Sequence, residues 1–165
     1  MIHWIDLFVR SAYQNILVDS LSYCQKEKGL LLHAWCIMPS HVHLIMGTRK
    51  DAMENILRDF KSFTSRRLKE EIQSNPQESR KEWVFWMMKR AGIKNKNKNN
   101  NEWQLWQQHN HPIELSSNQM LDQRLYYLHN NPVEAGFVDR PECWKYSSAG
   151  DYAGRKGLLE VFLIE

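Results

Sequence analysis

Two short apolar runs, Leu30 to Met38 and His41 to Met46, meet across a Pro39-Ser40 break. Runs of this length on either side of a tight break read as paired strands. Helical patterns flank them. Ile16, Leu17, Leu21 and Cys24 recur at helical spacing, and Gly29 follows Lys26 and Lys28 as a stop signal. That predicts a helix from about Ser11 to Lys28. Asp51 is placed to cap a second helix, whose face is Met53, Ile56, Leu57, Phe60 and Phe63. It runs to about Ile72, and Asn75-Pro76 ends it.

The second half is less regular. Glu82 to Arg90 is apolar nearly all round and reads as a helix or as a strand. Trp103 to Gln107 reads as a strand. Ser116 or Ser117 caps a helix through Leu121, Leu125 and Leu128, which Asn131-Pro132 is expected to end. Residues 94–101, KNKNKNNN, are too polar to bury and read as a mobile loop. From about residue 139 the chain reads as a tail that packs back on the core. No repeat or second core is evident, so residues 1–165 are expected to form a single domain.

Composition excludes several classes. No stretch approaches the roughly 18 apolar residues of a membrane span. Residues 1–10 lack the basic start and apolar run of a signal peptide, so the cytoplasm is expected. Cys24, Cys36 and Cys143 form no disulfide framework or metal motif. The net charge is +3, from 22 Lys+Arg against 19 Asp+Glu, which is too mild to announce nucleic-acid binding. Its distribution says more. Arg66, Arg67 and Lys69 cluster, Lys89 and Arg90 follow, and Lys94, Lys96 and Lys98 line one segment. With seven tryptophans, this composition suits single-stranded nucleic acid, because any base can stack on an indole. A Trp-rich core with a solvated basic rim would look the same.

His41-Val42-His43 is the sharpest local feature. Residues two apart on a strand project from one face, so both imidazoles point one way and could hold a metal. Two unliganded histidines on a half-exposed strand would share this pattern. His109-Asn110-His111 is a second pair. Pro112 follows it and limits strand pairing, which makes it the weaker candidate. In the helix ending at Asn131-Pro132, Leu121, Leu125 and Leu128 form the buried stripe. Tyr127 falls off that stripe, on the side of Arg124 and Asn131. It is a candidate functional residue, or a tyrosine covering the rim of the core.

IMPSHVHLIM, then NHPIEL, YLHNNPVEAGFV and WKYSSAGDYAG in that order, resemble the single-tyrosine HUH transposases, in their REP-associated branch. The resemblance spans about residues 4 to 160. It implies a ferredoxin-like α+β fold, with an antiparallel sheet carrying the histidine pair and helices packed on one face. The first strand is expected to be truncated, since three residues precede Trp4. The resemblance also implies cleavage and rejoining of single-stranded DNA through a covalent 5′-phosphotyrosine. Tyr127 matches the nucleophile, and His41 and His43 match two metal ligands. Asn131 stands at the third-ligand position, with His129 as the alternative. Arg66, Arg67, Lys89, Arg90 and Arg124 are the candidate DNA contacts.

The chemistry is consistent with these roles. A phosphodiester is a poor electrophile because its oxygens are charged, and a divalent cation relieves that. A tyrosine hydroxyl ordinarily ionises near about pH 10, so it must be activated as it attacks. Imidazole ligands alone suit zinc or manganese, whereas the resemblance implies Mg2+ or Mn2+. The expected partner is single-stranded or hairpin DNA, bound by a monomer or a homodimer. A catalytically inactive single-stranded or hairpin DNA-binding domain is the alternative, and the short first strand is what favours it.

Overall fold

The computed structural model describes residues 4–94, 103–108, 110 and 112–164. Helix α1 (Ser11–Lys28) buries Tyr13, Leu17, Val18, Leu21 and Cys24 along one stripe. Gly29 stops it in the left-handed region at φ 71°, its N–H donating to the Cys24 carbonyl. A Cβ at Gly29 would lie 2.7 Å from the Lys50 Cβ, so a side chain is excluded by space as well as by backbone conformation.

Strands β1 (Leu30–Ile37) and β2 (Val42–Thr48) then pair antiparallel, with Cys36 opposite His43 and Ile37 opposite Val42. The turn between them is closed by Met38 N–H donating to the His41 carbonyl at 2.8 Å. A register irregularity lies between Leu32 and Ala34. The extra residue, His33, shifts the alternation by one, so Leu30 and Leu32 share a face with Trp35 and Ile37. Val42, Leu44 and Met46 join them against α1 and helix α2 (Met53–Ser74). The opposite face carries Ala34, Cys36 and Ile45, which pack on Leu125 and Leu128 of helix α4 (Asn118–Glu134). His43 alternates with Val42 and Leu44 and therefore lies on this second face.

The fold is thus α+β with an antiparallel sheet, as expected, and the sheet carries His43 while His41 stands in the turn one residue before β2. Two finer features differ. The helices divide between both faces of the sheet, with α1 and α2 on one side and α4 on the other. In addition, a ferredoxin-like order is β-α-β-β-α-β, and α1-β1-β2-α2 supplies its middle four elements. Residues 4–10 form no strand among the described residues. Instead Ile5, Leu7 and Phe8 are buried, and Phe8 N–H donates to the Pro39 carbonyl. The outer edge of β1 is covered by the tail. Ile37 N–H donates to the Tyr146 carbonyl, Ser148 N–H to Trp35 and Phe162 N–H to Leu32. Residues beyond 139 therefore do pack back on the core, with a 3-10 turn at Pro141–Cys143 and a short helix α5 (Ala149–Tyr152).

Helix α3 (Lys81–Lys94) settles the apolar 82–90 run as a helix, with Val84 and Met88 inward and Trp83 and Trp86 exposed. The N-cap of α2 is Ala52 rather than Asp51, because Thr48 Oγ1 ties up the Asp51 carbonyl in a turn. Ser117 caps α4, its side chain accepting from Met120 N–H. Residues 103–107 form no strand. Their bonds go to helices instead, with Gln104 N–H to the Met88 carbonyl and both indole N–H groups to α2 hydroxyls. Pro132 does not end α4, which continues to Glu134 with the proline inside it. Burial of Pro132 and the Phe137 N–H bond to its carbonyl offset the disruption an internal proline brings. His109, His111 and most of the 94–101 tract lie outside the described residues. No helix among the described residues is long and apolar enough to cross a membrane.

Candidate active site

Strand β2 begins directly after the Pro39–His41 turn, and that rigid start aims the histidines. The His41 and His43 rings stand 4.7 Å apart, nearly perpendicular. Ser40 Oγ and His41 Nδ1 are 3.0 Å apart, which orients the first ring. Trp4 packs edge-on against its other side at 5.2 Å. Trp4 was not foreseen as a neighbour of the site, since nothing local in the sequence links residue 4 to residue 41.

Helix α4 brings the tyrosine. Leu128 is 3% exposed and anchors the helix to the sheet, whereas Tyr127, one position earlier, is 45% exposed. Its ring lies 5.5 Å from the His43 ring, edge to face. Tyr126 is more exposed still, and its neighbour Asn130 bonds its carbonyl, as Asn131 Nδ2 bonds the Tyr127 carbonyl at 2.7 Å. The ring contact with His43 separates the two tyrosines, which helical spacing leaves equivalent. His129 turns the other way. It is buried, and its Nε2 lies 2.8 Å from Ser148 Oγ, under the Tyr152 ring. Asn131 stays on the Tyr127 side of the helix, one turn on.

The electrostatics suit ligation. Burial lowers the pKa of His41, and burial followed by the charge of His41 lowers that of His43 to about 4. Both rings are therefore neutral at pH 7, with lone pairs available. His43 Nε2 is buried without a hydrogen-bond partner among the described residues, a costly state for a polar atom in a packed interior. An orphaned imidazole nitrogen beside a second imidazole fits a divalent cation. Asn131 uses its NH2 group on the helix, which leaves the oxygen end as the donor it could offer. Among the described residues, no group of three or more His, Cys, Asp or Glu could hold a metal. Two imidazoles with one amide oxygen would suit Mn2+ better than the oxygen-loving Mg2+.

The candidate DNA contacts do not converge on this site as a set. Arg124 is exposed on α4, one turn before Tyr127. Arg66 and Arg67 lie on α2, in the layer across the sheet, where Arg67 pairs with Glu70 and Arg66 covers the Phe63 ring. Lys89 is exposed on α3, and Arg90 lies over Trp86.

The family model for IS200-like transposases matches residues 6–90, a span that holds the sheet and both site histidines. The chain belongs to the IS200-like transposase family. No curated protein and no solved structure matches it. The match ends before α4 and so does not reach Tyr127, His129 or Asn131. Family membership makes the chain a DNA-processing protein of the transposition type.

Proposed function

We propose that this transposase cleaves and rejoins single-stranded DNA in the cytoplasm, as a REP-associated type of the family, with Tyr127 as nucleophile. The observation that carries the reading is the Tyr127 ring standing 5.5 Å from His43 on an open face. The Tyr127 hydroxyl attacks the phosphorus of a phosphodiester. A Tyr Oη–P bond forms, the P–O3′ bond breaks, and the tyrosine proton passes to water on the exposed side. The 3′ oxygen takes a proton from water as it leaves and becomes a hydroxyl, which can later attack the phosphotyrosine and restore the bond. His41, His43 and the Asn131 oxygen would hold a divalent cation, Mn2+ or Mg2+. When bound, that cation neutralises charge on the phosphodiester and polarises its phosphorus. Arg124, on the same side of α4 as Tyr127, would draw the incoming backbone.

The test is a covalent adduct. Wild-type protein with Mn2+ and labelled hairpin oligonucleotides should give a protein–DNA band resistant to denaturation. Tyr127→Phe removes one exposed oxygen, so it should fold normally, bind DNA and form no adduct. Tyr126→Phe should form it nearly normally. An adduct in Tyr127→Phe that disappears in Tyr126→Phe would move the nucleophile by one residue. No adduct from wild type, with DNA binding intact, would transfer support to a binding-only domain.

A further inference from the structure

On the layer of the sheet away from the histidines, a cleft of about 1100 Å³ runs between α2 and residues 103–108. Its α2 wall carries Arg58, Lys61, Arg66 and Lys69, which at about 100° per residue fall within roughly 140° of one another and so share one side of the helix. Glu54, near one end, is the single acid among the described lining residues. The opposite wall is Trp103 and Trp106.

This wall is built, not draped. Trp103 Nε1 donates to Ser65 Oγ at 3.1 Å and Trp106 Nε1 to Thr64 Oγ1 at 2.9 Å. Between them Leu105 is buried in the core, and Gln104 N–H is bonded to α3. The indoles are therefore held in place before any ligand arrives, which lowers the ordering cost of binding. Trp106 is packed between Phe8 and Phe60 and serves as floor. Trp103 is half-buried, and the Lys69 ammonium lies 5.6 Å over its ring. A lysine head is a mobile cover that can swing onto a phosphate and uncover the indole for a base.

We infer that this cleft is a second nucleic-acid site, one that takes a single strand with its phosphates along Arg58, Arg66 and Lys69 and a base on Trp103. The inference rests on the reading of the chain as a single-strand DNA enzyme, but the site is separate from the chemistry. The sheet lies between α2 and the histidine face, so the two sites meet different stretches of the same substrate. A row of cations gives affinity along a backbone, and an aromatic face favours unpaired bases over a stacked duplex.

The experiment measures anisotropy of a labelled oligonucleotide of about 20 nucleotides, and of its duplex, over a range of salt. The charge variant is Arg58→Gln/Arg66→Gln/Lys69→Gln, which alters side chains on the outer side of α2 and leaves its buried stripe whole. Circular dichroism checks its fold, and Arg58→Gln/Arg66→Gln serves if the triple variant is damaged. The affinity of the variant for the single strand should fall at least tenfold. Its salt slope should become less negative by about 2, at roughly 0.7 per lost phosphate contact. The double variant His41→Ala/Tyr127→Phe should keep most of the affinity and the wild-type slope. A charge variant that binds like wild type overturns the proposal, and so does a duplex that binds as tightly with the same dependence on these cations. Adduct formation by wild type reports on Tyr127 independently. An adduct with cation-independent binding removes this cleft and leaves the chemistry, whereas cation-dependent binding without an adduct does the reverse.

Discussion

Ser148 Oγ lies 2.9 Å from Trp35 N–H, 2.8 Å from His129 Nε2 and 3.3 Å from the Trp35 carbonyl, in a fully buried position. A hydroxyl has one proton and two lone pairs. If it donates to the Trp35 carbonyl, it accepts from both nitrogens, which places the His129 proton on Nε2. Burial lowers the pKa of His129 to about 4, so the ring is neutral, as this arrangement needs. Ser148→Ala strands two buried donors at about 1–3 kcal/mol each, part of which water can recover. The expected loss is about 2–4 kcal/mol, or roughly 5–15 °C in Tm for a chain of this size. A calorimetric shift under about 2 °C would show that water replaces the hydroxyl. The same contact explains what the sequence could not say about His129. Helical spacing keeps Asn131 on the Tyr127 side and turns His129, two residues on, away from it, and the partner that holds His129 inward lies 19 residues further on. His41 and His43 needed no such distant partner. Their pairing is what strand alternation leads one to expect, although His41 stands in the turn one residue before β2, and it is the part of the candidate site most legible in advance.

At the scale of elements, what could be read depended on whether the deciding contact was local. The end of helix α1 was visible because its stop, Gly29, is a backbone requirement written into one residue. The irregularity at His33 was not visible. Plain alternation puts Leu30, Leu32, Ala34 and Cys36 on one face, whereas one extra residue divides them between the two faces. Residues 103–107 have strand composition but no strand beside them, so their polar groups turn to α2 and α3. The start of α4 gives a clean comparison, since Ser116 and Ser117 were equivalent candidates. Ser117 accepts from Met120 N–H at 3.2 Å, while Ser116 Oγ faces the Met120 sulfur. Loss of an N-cap hydroxyl costs about 1 kcal/mol. Ser117→Ala should therefore lower Tm by about 2–4 °C, and Ser116→Ala should change it little. Equal effects of the two substitutions would mean that the cap alternates between them.

Across the whole molecule, the loop from α2 to α3 is tied to α1 through one carboxylate. The Glu78 side chain is completely buried and accepts from Arg10 Nε at 3.2 Å, Arg80 Nε at 3.3 Å and the Tyr13 hydroxyl at 3.0 Å. Burial alone would raise its pKa. The Arg80 N–H, the Tyr13 hydroxyl and the two guanidiniums outweigh burial and hold the Glu78 carboxyl below the usual carboxylate range. Tyr13 moves the other way, to about 12, through its own burial and the bond to Glu78. The folded state therefore prefers the charged carboxylate more than the unfolded chain does. Between the two pKa values the unfolded state binds more protons, so stability rises with pH there. The Glu78 contribution is complete above the unfolded value near about 4.3 and is lost as pH falls through the folded one. Glu78→Gln keeps the shape and removes the charge, so it should cost about 2–3 kcal/mol at pH 7, in the range of charged hydrogen bonds. Urea unfolding at pH 7, 5 and 3 should show that gap hold down to about pH 5 and then narrow as the wild type protonates. No gap at pH 7 would mean that shape, and not charge, is what Glu78 contributes to joining these helices.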